Sequence, residues 1–213
     1  MKPLVLLDLD GTLMDSAPGI TASVAFAYGE LGLPVPDAAA LRSFVGPPIT
    51  DSFAAHGVPA ERVAEAVRVY RTDFVAGGMW DNRVFDGIPE QLRALRAAGC
   101  TLAVATSKPE IFAVPIAEKF GLTDLVDGVF GAPADEQGTK ADVIAAALRT
   151  LAPAGPVLMV GDRSHDVVGA RAHGIDCLGV TWGYAAPGEL AAAGAVAVVD
   201  QVEDLAARLL AHL

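Results

Sequence analysis

Two carboxylates stand two residues apart in the stretch Asp8-Leu9-Asp10-Gly11-Thr12-Leu13, directly after the apolar run Leu4-Val5-Leu6-Leu7. On an extended strand such residues share a face, so Asp8 and Asp10 point the same way, and Gly11 permits a sharp turn beyond them. Neighbouring carboxylates repel, so the pair calls for a shared proton, a cation, or a nearby Lys or Arg. Mg²⁺ suits such a site best, because it takes hard oxygen ligands and usually combines a few carboxylates with water and substrate phosphate. A solvated turn at a strand end is the alternative that Asp-Leu-Asp alone leaves open.

Three further positions carry polar residues of the right kind. The apolar segment 101–105 opens onto Thr106-Ser107-Lys108-Pro109, where a hydroxyl and the first amides of the next helix could hold a phosphate. Thr106 or Ser107 could equally cap that helix, and the two roles are compatible. The segment 157–160 opens onto Gly161-Asp162-Arg163-Ser164-His165-Asp166. Asp166 falls in a first helical turn, where the macrodipole favours negative charge; helix stabilisation accounts less well for Asp162 at the strand terminus. Lys140 begins a helix after the Gly-containing loop 134–139, where the macrodipole disfavours a cation. A Lys that breaks the local rule is a candidate functional charge, the alternative being a solvated surface side chain. His165 is expected to face solvent, and Trp182 and Tyr184 to serve as core and rim packing.

These residues need a frame to bring them together. Four consecutive apolar residues before Asp8 read as a buried strand of a parallel sheet, covered on both faces. A helix follows over residues 17 to about 32, with Ser16 as N-cap and Pro18 in its first turn. Shorter helices are expected at 37–44 and about 50–56, and a longer one after Pro59 whose Val63, Val67, Tyr70 and Phe74 share a face. No strand pattern occurs between 16 and 80, so this is a helical module inserted after the first strand, with 79–87 as a hinge. From Pro89 helices and strands alternate: helix 89–98, strand 101–105, helix 109–120, strand 126–130, helix 140–151, strand 157–160, helix 164–173, strand 177–181, strand 196–199 and helix 202–212. The expected class is α/β, a Rossmann-like parallel sheet flanked by helices, built from 1–15 and 81–213, with a small inserted helical cap domain at 16–80. Ligands bind such sheets at the C-terminal ends of the strands, where Asp8, Thr106 and Asp162 fall.

Composition narrows the partners. The 213 residues carry a net charge of −11 with an isoelectric point near 4.6, and Lys and Arg are scattered singly. That excludes nucleic-acid polymers and anionic membranes as natural partners. No apolar run reaches the roughly 18 residues of a membrane span, and no basic segment leads into an apolar stretch at the N-terminus, so a cytoplasmic protein is expected. Cys100 and Cys177 each start an apolar segment and are expected as buried, reduced thiols.

Taken in order, Asp8-Leu9-Asp10-Gly11-Thr12-Leu13, Thr106, Lys140, and Gly161-Asp162 with Asp166 resemble the four-motif series of the haloacid dehalogenase (HAD) superfamily of phosphohydrolases, over essentially the whole chain. The insertion resembles a C1-type helical cap. Phe44-Val45-Gly46-Pro47-Pro48, Gly87-Ile88, Ala105-Thr106-Ser107-Lys108-Pro109 and Thr181-Trp182-Gly183-Tyr184 are most similar to the phosphoglycolate phosphatase-like branch. That branch also includes enzymes acting on nucleoside monophosphates and on pyrophosphate. Asp86 and Ala185 depart from the branch's usual residues, outside the four motifs, and bear on substrate choice.

The resemblance implies Asp8 as nucleophile and Asp10 as general acid and base. Thr106 and Lys140 would hold the phosphoryl oxygens, with Gly11, Ser107, Arg42 and Gly46 completing the phosphate and substrate contacts. Mg²⁺ would be held by Asp8, the backbone carbonyl of Asp10, Asp162, and Asp166 directly or through water. Arg42 and Arg71 are the insertion's cations best suited to a second anionic group. The implied function is Mg²⁺-dependent hydrolysis of a small phosphorylated metabolite, 2-phosphoglycolate first, by a monomer or homodimer. A nucleoside 5′-monophosphate phosphatase and a pyrophosphatase stand as alternatives, followed by a phosphosugar mutase and a non-catalytic phosphate-binding regulator. No Lys lies between Lys2 and Lys108, which argues against phosphonate cleavage through a cap lysine; Asp10 argues against dehalogenation.

Overall fold

A computed structural model describes residues 1–134 and 138–213, so the middle of the loop expected at 134–139 lies outside the described residues. Strand β1 (Leu4–Leu7) is buried along its whole length, as an apolar run covered on both faces must be. The chain turns at Gly11 (φ 80°) into a two-residue strand, β2 (Met14–Asp15). Four helices follow: α1 (Ala17–Glu30), α2 (Ala38–Arg42), α3 (Ile49–Ala55) and α4 (Val63–Ala76). Strand β3 (Arg83–Val84) then pairs antiparallel with β2, placing Met14 opposite Val84 and Asp15 opposite Arg83. The helical insertion therefore enters and leaves through one short ribbon, whose second strand falls within the expected hinge 79–87.

The alternating part runs α5 (Ile88–Ala97), β4 (Thr101–Pro109), α6 (Glu110–Lys119), β5 (Gly128–Ala132), α7 (Lys140–Leu151), β6 (Val157–Gly161) and α8 (Ser164–Arg171). It closes with β7 (Asp176–Val180), α9 (Glu189–Ala193), β8 (Ala197–Val199) and α10 (Leu205–Leu210). The six long-range strands form one parallel sheet in the order β5-β4-β1-β6-β7-β8. Leu7 is opposite Val104 of β4 and Val160 of β6, so the chain leaves all three central strands at one edge. Strand order reverses around β1, which makes that edge the ligand-binding switch point of an open α/β sheet.

Successive side chains of β1 enter opposite layers. Val5 and Leu7 pack with Leu92, Leu102, Val104 and Leu178, while Leu4 and Leu6 pack with Val143, Ile144, Ala147 and Met159. Each such burial is worth about 1.5–3 kcal/mol. The insertion has an aromatic centre in which Phe44 and Phe53 meet edge-on at 5.4 Å and Tyr70 stacks on Phe74 at 5.3 Å. Val63, Val67, Tyr70 and Phe74 are all buried on one face of α4, as their spacing requires.

Several local expectations are corrected. The Ser16 side chain does not cap α1; the Tyr184 hydroxyl reaches from the core and accepts from the amides of Ser16 (2.9 Å) and Ala17 (3.0 Å). Strand β5 begins two residues late because the Asp127 carboxylate accepts from Leu102 N and occupies the ladder position just before it. Strand β4 continues to Pro109, whose partner is Ala132, past an irregularity after Ala105. The last helix opens with a 3₁₀ turn at Val202–Asp204. Helix α9 and the β2/β3 ribbon are additions to the expected pattern. Both cysteines are free and buried, and among the described residues no helix is long and apolar enough to cross a membrane.

Candidate active site

Asp8 follows β1, Asp162 follows β6, and Asp166 lies in the first turn of α8. Carboxylate oxygens of all three come within 4.8 Å of one another, and all three residues are buried. Close approach is possible because glycines line it: a Cβ on Gly161 would overlap the Asp166 carboxyl, and one on Gly11 or Gly183 would overlap that of Asp162. Lys140 bridges the cluster, its Nζ 2.8 Å from an oxygen of Asp8 and 2.8 Å from one of Asp166, and it donates to Ala105 O at 3.0 Å. A reciprocal capping box between Thr139 and Asp142 fixes the start of α7 and holds Lys140 there against the helix dipole.

Burial dominates the electrostatics. It raises the Asp8 carboxyl to about 6 despite the opposing Lys140 charge, and raises Asp162 well above the usual range with help from Asp166. Burial alone would discharge Lys140, but Asp166 and Asp8 outweigh it and raise its pKa, keeping the ammonium charged. Backbone donors hold the carboxylates in place: Leu9 N to Asp8 (2.8 Å), Tyr184 N to Asp162 (2.7 Å) and Arg163 N to Asp166 (3.0 Å).

Asp10 stands apart from this trio. Its Oδ1 lies 2.8 Å from Lys108 Nζ, and that ammonium sits 5.3 Å from the ring centre of Phe74 on α4. Thr106 is buried within β4, directly after Ala105 where the pairing becomes irregular, its hydroxyl accepting from Lys108 N at 3.2 Å. Neither Thr106 nor Ser107 caps α6, because β4 runs on and the helix starts only after Pro109. Asp10, Ser107 and Lys108 face Gly46, Pro47, Pro48 and the rings of Phe44, Tyr70 and Phe74 across a cleft of about 40 Å³. One wall is polar and charged, and the wall given by the insertion is apolar.

Other expected contacts fall elsewhere. Arg42 lies 4.8 Å over the Tyr184 ring and donates to Gly183 O at 3.4 Å, outside the cleft lining. Arg71 lines a separate hollow of about 730 Å³ with Thr50, Val63, Val67 and Arg68. His165 is half-buried rather than turned to solvent, and burial with the Arg163 charge lowers its pKa. Trp182 donates to Thr12 O at 3.1 Å, and Tyr184 donates to Asp15 as well as capping α1, so both brace the site rather than merely pack beside it. Sequence reasoning passed over Lys108, Arg163 and Glu189. Lys108 stood inside a quoted motif, but its partner is 98 residues away.

A parallel sheet that gathers buried carboxylates and a lysine at its switch point, beneath a helical insertion, defines the class: an α/β enzyme with an acidic centre. The chain belongs to the haloacid dehalogenase-like hydrolases, whose family model matches residues 5–180, and is a hydrolase of the phosphatase kind. It is 45% identical to a 5′-nucleotidase of Pseudomonas aeruginosa, over 89% of this chain and 87% of that one. It is 48% identical to the tyrosine-protein kinase PtkA of Mycobacterium tuberculosis over 85% of this chain, but spans only 62% of that protein's length. A plasmid-encoded phosphoglycolate phosphatase of Cupriavidus necator is 36% identical over 96% of this chain and 92% of its own. Among solved structures, a "predicted phosphatase" from Clostridium acetobutylicum superposes with a TM-score of 0.93 at 40% identity, covering 99% of both chains.

Proposed function

We propose that the chain is a Mg²⁺-dependent phosphomonoesterase working through an aspartyl-phosphate on Asp8, with 16–80 as a cap over a core of 1–15 and 81–213. The observation that carries this reading is the separation of two carboxylates on one strand: Asp8 joins Asp162, Asp166 and Lys140, while Asp10 faces the cleft with Lys108. The four carboxylates face two ammonium groups, and a divalent cation would supply the missing positive charge. An all-oxygen, buried donor set fits Mg²⁺, with Asp8, Asp162, Asp166 and the Asp10 carbonyl as the residues to hold it. Bound there, the ion neutralises charge on the transferring phosphoryl group.

The chain's own residues then divide the work. Leu9 N and Lys140 hold Oδ1 of Asp8, leaving Oδ2 to attack phosphorus in line with the leaving oxygen. Asp10 enters the step carrying a proton, gives it to that oxygen and is left as a carboxylate, then takes a proton back from the water that hydrolyses the aspartyl-phosphate and releases inorganic phosphate. Lys140, Thr106, Ser107 and the turn at Gly11 steady the phosphoryl oxygens.

A small acidic leaving group, as in 2-phosphoglycolate, is favoured by the 40 Å³ cleft and the Lys108 ammonium beside it. A nucleoside 5′-monophosphate is the second reading, favoured by the rings of Phe44, Tyr70 and Phe74 and by the 5′-nucleotidase relative. Initial rates on 2-phosphoglycolate, nucleoside 5′-monophosphates, pyrophosphate, sugar phosphates and an aryl phosphate, each with Mg²⁺ and with chelator, test both. Mg²⁺-dependent turnover supports the class and the preferred compound decides the substrate; silence on the whole panel would overturn the class.

A further inference from the structure

Arg163 sits directly after the site carboxylate Asp162, yet its guanidinium turns away from the acidic cluster toward the insertion. Its Nη1 donates to Val45 O at 2.7 Å, and its Nε donates to Glu189 at 3.0 Å. Both members of that ion pair are largely buried, with side chains 13% and 16% exposed. Glu189 cannot swing away, because the same carboxylate accepts from Ser164 N at 2.8 Å and from Ala186 N at 3.0 Å. Beside the Val45 carbonyl, Gly46 adopts φ 105°, and a Cβ there would come within 3.1 Å of Arg163 Cγ. Gly46 leads into Pro47 and Pro48, and all three form the part of the cleft wall that faces Asp10 and Lys108. Fixed proline φ angles make that wall stiff, so it moves as a unit with its anchor.

We propose that Arg163, clamped by Glu189, is a positioning residue that sets the height of the Gly46-Pro47-Pro48 wall above the cleft and thereby selects the size of the leaving group. An arginine suits this task because its planar fork serves the carboxylate and the carbonyl at once, and both bonds are charge-assisted. The selectivity rests on the phosphatase reading; the anchoring does not.

The test compares wild type with R163M, R163K and E189A. The ratio of kcat/KM for p-nitrophenyl phosphate to that for 2-phosphoglycolate should rise at least about tenfold in R163M and E189A, mainly through KM. R163K, whose ammonium keeps the charge but lacks the guanidinium's planar fork, should fall between. Hydrogen exchange over residues 44–46 should quicken in the same order with no substrate present, while the thermal shift caused by Mg²⁺ stays at its wild-type value. Ratios and exchange unchanged in folded E189A would overturn the proposal, as would equal losses on both esters, which mark a general structural role. A wild type inactive on every ester would refute the phosphatase reading alone, because the exchange measurement still decides the anchor.

Discussion

Asp8 and Asp10 leave the same strand into different electrostatic company, and their variants should fail differently. Asp8→Asn keeps the shape and the Leu9 N–H bond but removes the nucleophile, so turnover should fall by about 10⁴-fold or more with the unfolding midpoint nearly unchanged. Steady-state rates and a thermal melt check this, and substantial residual activity would contradict it. Asp10→Ala should cost about 10²- to 10⁴-fold in kcat while leaving Mg²⁺ binding intact, because its carboxylate pairs with Lys108 outside the trio. Isothermal titration with Mg²⁺ separates the two effects. At this scale Asp8, Asp162 and Lys140 were legible, since each ended an apolar strand or broke a local rule, whereas Asp166, ordinary in a first helical turn, stood out only through the family resemblance. The partners were not: Lys108 to Asp10 and Arg163 to Val45 span 98 and 118 residues, and only the folded sheet brings them together.

Elements decide how accurately those side chains meet. The parallel sheet was readable because strands buried on both faces are continuous apolar runs, and β1 is one. The β2/β3 ribbon was not, since two residues per strand carry no period. Helix α9 escaped because Glu-Leu-Ala-Ala-Ala between two glycines is too short to repeat a turn. The start of α1 and Ser16 as its N-cap residue were placed correctly, but the capping bond was not, because the Tyr184 hydroxyl reaches it from 168 residues away. Tyr184→Phe strips that acceptor from two amides, and urea denaturation should show a loss of about 1–2 kcal/mol. An unchanged midpoint would mean that water or Ser16 replaces the hydroxyl at no cost. Gly161→Ala forces a methyl into the Asp166 carboxyl, so it should cost about 1–3 kcal/mol and weaken Mg²⁺ binding together. Loss of stability with undisturbed Mg²⁺ affinity would separate β6 from the site.

Across the whole molecule the acidic centre is a cost that the fold carries for its chemistry. Asp8, raised to about 6, and Asp162, raised well above the ordinary carboxylate range, bind protons more readily in the folded than in the unfolded chain. Stability from this source is therefore full below the ordinary carboxylate range and lost as pH climbs through about 6. A divalent cation competes with those protons, so the rise in Tm on adding Mg²⁺ should be small at acid pH and large in the alkaline range. A pH-independent increment in differential scanning calorimetry would contradict a carboxylate site. The most direct measurement of the central claim is mass spectrometry of peptides from protein acid-quenched during turnover with Mg²⁺ and a hydrolysed ester. The account predicts one phosphoryl group on the peptide bearing Asp8 and none in Asp8→Asn; an Asp8→Asn protein that still turns over, with no adduct in either, would contradict it.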